Sequence, residues 1–529
     1  MDEDTRQARA AERVTSASQA GQGLRLSGSP NKRGAANDRA ASDRHERTQV
    51  PSHTEDHTPL APTALERSAQ PPARKKSRRS RLAHPRPRRA RKIPRNHMRI
   101  PWEEVLDDRD VLAVSASIDD KSSIICRAGL LVLSGGAGGW RVRDCMNEIA
   151  RVLGVTCRVD VGLTTIECTC FGQDREIFSE GVSLTTAGVN TERLWLMEDL
   201  VRRIKAQGRE FTVGEFHRLL DDIDQRGHLY NTWQVALASA FACGAFVFLL
   251  GGGPIEMACA FAGAGIGNFV RRAMTNRRLT FFAGVGASVA AACLTYLAML
   301  AGISLVIPGA MDHEAGYIGA MLFVIPGFPL ITSGLDLAKI DMRSGIERLC
   351  HAGSIIVFAT LVAWLVASMV SLSPDDFEPL GLSFPVLTTL RVAASFIGVL
   401  GFSIMFNSPL KMAIAAGSIG MIANALRLSL VDVVSMPPEA AAFVGALTAG
   451  LLASAVGLRY GFPRISITVP SIVIMVPGLY MYRAVFCMGN FQTLPAMEWV
   501  LRALMIVLFL PMGLGVARAL TDPAWRQSL

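Results

Sequence analysis

The chain has 529 residues, half of them apolar, with a mean hydropathy of +0.30 and a formal net charge of +9. That hydropathy, in a chain that is 19% charged, excludes an ordinary water-soluble protein and points to separate polar and apolar parts. The positive balance has one source: Arg74–Arg95 holds twelve Lys/Arg and no acid, which leaves 42 basic against 45 acidic residues elsewhere, so the main domain is not basic.

Residues 1–105 are rich in Arg, Ala, Ser, Pro, Thr and Asp, with little periodic apolar content. Such a segment buries too little apolar surface to offset its ordering entropy, so a disordered basic tail is expected. No apolar run follows Met1, which argues against a secretory signal peptide. The basic run suits anionic lipid headgroups, which attract juxtamembrane cations at about 1 kcal/mol per charge. Nucleic acid, or a merely solvated tail, is the alternative.

Residues 106–231 read as a small α/β region on the cytoplasmic side. A helix is expected over Asp110–Leu133, stopped by the glycine cluster Gly135–Gly139. A second helix places Val142, Met146, Ile149 and Leu153 on one face. Val155, Cys157, Val159 and Val161 alternate with polar residues as a half-buried strand, with Leu163–Phe171 as its partner. Asn190–Ala206 is a further helix, and Thr212-Val213-Gly214-Glu215 has the form of a capping box opening another.

The cluster L-S-G-G-A-G-G-W lacks both the Gly-Lys-Ser/Thr and the preceding strand of a phosphate loop, so it reads as a turn between helices. With no ATPase signature, any transport must draw on a gradient. Cys168 and Cys170 share a strand face, but no further ligand stands near them. Reduced packing cysteines are expected, with no metal and no cofactor.

An apolar run of roughly 18–20 residues crosses a bilayer as a helix. Spans are expected near 232–250, 254–270, 279–303, 316–335, 347–370, 386–406, 411–431, 440–457, 465–482 and 497–516. If the N-terminal region lies inside, the inner loops hold twelve Lys/Arg (Arg271 to Arg526), whereas the outer ones hold only Arg483 and Arg502. That bias predicts a multi-pass protein of the cell inner membrane with both termini cytoplasmic.

Val324-Ile325-Pro326-Gly327 in the fourth span and Met475-Val476-Pro477-Gly478 in the ninth lie 151 residues apart. The same shift superposes the first five spans on the second five, the third least well. Units of five helices must run in opposite directions, which is the inverted-repeat plan of many secondary transporters, with sites near broken helices at the midplane. Proline removes a helical hydrogen bond, and the freed carbonyls need protein or a water-filled cavity. The fold class expected is therefore an α-helical polytopic membrane protein, with two inverted five-helix repeats over 232–372 and 373–529.

The motifs resemble those of the threonine/serine exporter family. A-G-L-L-V-L-S-G-G-A-G-G-W-R-V-R-D-C-M at 128–146, V-I-P-G-F-P-L-I-T-S-G-L-D-L at 324–337 and D-M-R-S-G-I-E-R-L at 341–349 are similar to its first module. F-N-S-P at 406–409, R-Y-G-F-P-R-I-S-I-T-V-P at 459–470 and I-M-V-P-G at 474–478 are similar to its second. The resemblance implies a fused two-module exporter of threonine and serine driven by the proton-motive force. Some relatives divide the modules between two chains, and some are linked to dicarboxylate export.

Polar groups inside membrane helices face protein or a cavity. The candidate path therefore comprises Pro326, Gly327, Pro477 and Gly478, with Asn268, Thr332, Ser333, Asn407, Asn424 and Thr468 as hydrogen-bonding groups. Arg391 and Arg427 are placed either to meet a carboxylate or to snorkel to the outer headgroups. Asp336, Asp341 and Glu256 are the proton-coupling candidates; the first two are alternatively partners of Lys339 or Arg343. Threonine, serine or a small carboxylate, protons and membrane lipids are the expected partners, with a homo-oligomer as a further alternative. A dicarboxylate exporter and a membrane-anchored sensor or scaffold are the competing functions. No nucleophile–base set emerges, so an enzyme is not expected.

Overall fold

A computed structural model describes residues 100, 102, 106, 109–173 and 175–526. The basic tail expected over 1–105 falls outside these, apart from Ile100 and Trp102.

The α/β region is built around α1 (Ile118–Ser134), whose side chains from Ser122 to Leu133 are all buried. The helix starts eight residues later than its apolar pattern suggests. Leu112 forms an antiparallel bridge to Thr212, Ala113 donates to the Phe211 carbonyl, and Ser117 then caps α1. A non-local backbone pairing thus overrides the local helical pattern. After the glycine turn come α2 (Gly139–Val152), then β1 (Thr156–Val161), β2 (Thr165–Phe171) and β3 (Ile177–Ser183). The strands form an antiparallel sheet in chain order, with Cys157 opposite Cys170 and Cys168 opposite Glu180. The strand β3 was not expected: its pattern is interrupted by Glu180 and Gly181. Ile166, Cys168 and Cys170 on β2 are buried on the face that packs on α1. All ten cysteines are free. Two helices complete the region: α3 (Thr191–Gln207), capped by Asn190, and α4 (Val213–Asp224), opened by the Thr212–Glu215 capping box.

The helical bundle follows as α5 (Thr232–Leu250), α6 (Pro254–Asn276) and α7 (Phe281–Ser304), then a bent pair and α10 (Met342–Met369). The bent pair comprises the stretch Ala310–Val324, which contains a short helix, α8 (Tyr317–Met321), and α9 (Gly327–Ala338), with a bend of 58° between them. The order then repeats as α11 (Phe384–Met405), α12 (Leu410–Val434) and α13 (Pro438–Tyr460). A second bent pair joins the stretch Arg464–Met475, which contains α14 (Arg464–Ile472), to α15 (Gly478–Gly489) at 48°, and α16 (Thr493–Thr521) ends the bundle.

Among the described residues, seven helices are long and apolar enough to cross a membrane, and nine spans result if each bent pair counts as one. The expected span at 254–270 is present as the 23-residue α6 but falls outside that set. Its Glu256, Asn268 and several glycines dilute its apolar character. Both Glu256 and Asn268 are buried, so the helix is covered by protein where its composition would not suit lipid.

The most enclosed span is α5, which packs against α6, α11 and the first break. Contacts between the two sets of five are reciprocal: α9 packs on α16, and α10 packs on α15. The loops after α9, α11 and α13 and the end of α16 all meet the α/β region, which therefore caps one end of the bundle.

Candidate functional site

The two breaks have the same backbone conformation. Ile325 and Val476 are extended (φ/ψ −60/122° and −64/132°), and Pro326 and Pro477 follow at −81/62° and −81/54°. Pro326 and Pro477 lack an N–H to continue the preceding helix, and each new helix starts at the glycine that follows. The breaks also touch. A Cβ on Gly327 would lie 2.6 Å from Val473 Cγ2, and one on Gly478 would lie 2.7 Å from Leu322 Cδ2. Only glycine permits this approach. Beyond the breaks, away from the α/β region, the buried hydroxyls of Tyr317 and Tyr482 are hydrogen-bonded to each other.

On the near side, the end of α9 is locked to the glycine turn. Asp336, fully buried, accepts from the Gly139 N–H (3.1 Å) and the Ser344 hydroxyl (2.8 Å), and pairs with Arg348 (3.4 Å). Arg348 in turn donates to the carbonyls of Gly136 and Ala137. Asp341 pairs with Arg143 at 2.8 Å. Side chains at positions 138 and 139 are impossible without movement, since their Cβ atoms would lie 2.2 Å from Asp336 Oδ1 and 2.3 Å from Asp341 Oδ2. The turn is thus shaped by what it docks against. Lys339 bonds to the Trp525 carbonyl instead, and Arg343 reaches Asp160, Glu167 and Glu347.

The other candidates divide among three places. Thr332, Ser333 and Thr468 lie on the near side, each donating to its own helix backbone. Asn268 is buried nearby, and among the described residues its Oδ1 has no hydrogen-bond partner. Asn407 lies in the turn between α11 and α12, where it bonds Asn190, Glu192 and the Leu229 N–H, all of the polar region before α5. At the far end, Arg391 pairs with Asp432, Asn424 links Ser395 to Arg427, and Glu256 caps Gly253 and bonds His313 (2.8 Å).

A cavity of about 530 Å³ opens where α2 and α3 face the ends of α13, α14 and α16. Its charged lining comprises six cations and four acids. Arg464 and Arg518 also line a separate small pocket of about 20 Å³, room for about one water molecule, together with Leu335 and Thr468. In the sequence Arg464 and Arg518 read only as loop charges. The basic spacing W-R-V-R after the glycines was the available signal, since it sets Trp140 and Arg141 on this cavity and Arg143 on Asp341.

Residues 123–370 match the family described as "Putative threonine/serine exporter", and residues 391–520 match "Threonine/Serine exporter, ThrE". The chain belongs to the threonine/serine exporter family. It carries both modules of that family, and the glycine turn and the first break fall in the first module, the second break and Arg518 in the second. It is 25% identical over 396 residues to the "Probable threonine/serine exporter" of Mycobacterium tuberculosis, covering 70% of this chain and 72% of that one. It is 25% identical over 391 residues to the "Threonine/serine exporter" of Corynebacterium glutamicum, covering 70% and 76%. The "Probable succinate transporter subunit YjjP" of Klebsiella aerogenes is 22% identical over 255 residues, 46% of this chain and 90% of its own. No solved structure matches. As a member of a family of exporters with many apolar helices, the chain is a multi-pass membrane protein.

Proposed function

We propose that the protein exports threonine, serine and amino acids of similar size from the cytoplasm, driven by the proton-motive force. The observation that carries this reading is the charged cavity beside the α/β region, whose Arg464 and Arg518 also line a small pocket deeper in the bundle with Leu335 and Thr468. A zwitterion needs both signs of charge at its point of access, then small hydroxyl-bearing surroundings deeper in, and Thr468 and Thr521 line the small pocket. The printed names of the two exporter relatives support the substrate class.

An inverted repeat accounts for the arrangement. The helix α9 runs toward the α/β region and α14 runs away from it, and the contacts between halves are reciprocal, as a two-fold axis requires. The twelve-to-two cation bias then puts the α/β region, and both termini, inside the cell. The small pocket suits a state closed to the cytoplasm, with rocking about the breaks reopening it.

Asp336 is the carboxylate best suited to proton coupling: one of its oxygens is buried without a partner among the described residues, while the other holds Arg348. Asp341 and Glu256 are the secondary candidates. Lipid headgroups for the basic tail, and a homo-oligomer, belong to the same proposal.

Counterflow of labelled threonine in proteoliposomes, with and without a pH gradient, tests the reading. Threonine exchange stimulated by the gradient is expected, with the stimulation lost and exchange retained in Asp336→Asn. No threonine or serine exchange would overturn the substrate assignment; an undiminished gradient effect in the variant would overturn the role of Asp336.

The excess of cations lining the cavity and the succinate-transporter relative favour dicarboxylate export as a second reading. Succinate competing with threonine in the same vesicles separates the two.

A further inference from the structure

Of the six cations lining the cavity, five are engaged. Arg141 pairs with Asp144 and Glu198, Lys205 with Glu148, Arg202 with Asp199 and Arg464 with Asp522; Lys339 bonds the Trp525 carbonyl. Arg518 differs. Its guanidinium carbon lies 4.4 Å from the centre of the Trp140 ring and 4.9 Å from that of Trp525. Its Nε is buried with no hydrogen-bond partner, and among the described residues it makes no ion pair. It lines both the wide cavity and the small pocket.

We propose that Arg518 is the receptor for the carboxylate of the solute that enters this cavity. Indole rings attract a guanidinium and shield the sides that they cover from water. All five N–H donors lie in the guanidinium plane, so a ligand must approach edge-on, and a carboxylate does so with two parallel hydrogen bonds. The ring contacts hold the guanidinium in position before the ligand arrives, which lowers the ordering cost of binding. The receptor is shared between modules: Trp140 follows the glycine pair docked on Asp336 and Asp341, whereas Arg518 ends the last long helix. The inference rests on the export reading only for the identity of the solute, not for its carboxylate.

The test uses the full chain in detergent and in proteoliposomes, with threonine, threoninol (which lacks the carboxylate) and succinate as probes. Arg518→Gln is expected to weaken threonine binding, read by tryptophan fluorescence, at least tenfold and to raise the KM for counterflow more than it lowers kcat. Arg518→Lys should recover part of the loss, and the weaker binding of threoninol should be unchanged by either variant. Threonine and succinate bound equally by Arg518→Gln and the parent would overturn the receptor and leave export standing. Arg518-dependent binding of succinate alone would support the receptor and overturn the threonine assignment. Binding of no carboxylate probe to the parent protein would overturn the receptor. If Arg518→Gln does not fold, protection of Arg518 from phenylglyoxal by threonine or succinate in the parent protein, read by mass spectrometry, decides the matter; absence of protection by both overturns the proposal.

Discussion

The carboxylate of Asp336 accepts a hydrogen bond from the backbone N–H of Gly139 at 3.1 Å, across 197 positions of sequence. Through it the α/β region grips the end of a broken membrane helix, and Arg348 closes the same grip from the other side by reaching the carbonyls of Gly136 and Ala137. The grip has no slack for a methyl group.

Gly139→Ala should therefore force the turn away from Asp341 and Ser344, costing roughly 1–3 kcal/mol by overpacking. The expected result is faster amide exchange in α1 and α2 and lower efflux. Gly181→Ala, where a Cβ meets nothing within 4 Å, is the control and should be silent. Equal behaviour of the two variants would show that the turn is not docked in this way.

At the breaks, Gly327→Ala and Gly478→Ala each place a methyl group against the opposite break, on Val473 or Leu322. Both should reduce threonine counterflow at least tenfold while leaving the protein folded, as judged by gel filtration in detergent. Pairing each with a smaller partner, Val473→Ala or Leu322→Ala, should restore part of the rate. Failure of both rescues would sink the idea that the breaks move against each other.

The Tyr317–Tyr482 hydroxyl pair is buried, so either single change to Phe leaves one hydroxyl without a partner, a cost of roughly 1–3 kcal/mol. The double Phe variant should be more stable than the sum of the singles predicts. A double-mutant cycle on thermal unfolding measures the coupling; strict additivity would refute it.

In the α/β region, Arg127 donates to His217 Nδ1 (3.0 Å), so the ring proton sits on Nε2, facing the Ser123 hydroxyl (3.2 Å). Burial, with the neighbouring Arg127 charge, pushes His217 down to about 4. A depressed folded-state value means that stability is fully present above the unfolded value of 6.5 and is lost as pH falls toward 4. The total is about 3 kcal/mol. Hydrogen exchange of α1 and α4 should rise over that window, and His217→Gln should flatten the rise. A parallel rise in both proteins would exclude His217 as the cause.

Sequence patterns reached the elements that depend on neighbours close in the chain. The apolar runs of α5, α10 and α13, the Thr212–Glu215 cap and both Pro-Gly breaks are local signals, and each appears in the structure within a few residues of its expected place. What lay beyond reach depends on distant partners. Helix α1 starts late because Leu112 pairs with Thr212, and the glycine turn is tight because Asp336 and Asp341 sit against it. Asn407 reads as a polar residue at a span's edge, yet its amide is held by Asn190 and Glu192. Arg518 reads as one more basic residue at a loop, because no spacing rule announces two tryptophans 378 and 7 residues away on either side of it.

The contacts between α3 and the turn after α11 have a further consequence. Thr191 bonds Ser408 and the Phe406 carbonyl, Asn190 and Glu192 hold Asn407, and Arg202 reaches the Gly461 carbonyl, so the first module clasps the second by its polar region as well as by its helices. The covalent link between modules runs through the segment after α10, whose residues 381–383 are exposed. Severed there, the two pieces retain every one of these bonds, and co-expressed halves should find each other and assemble as a heterodimer. Continuity of the polypeptide is then a matter of gene arrangement, and recognition between the modules is written in the turn at 406–409.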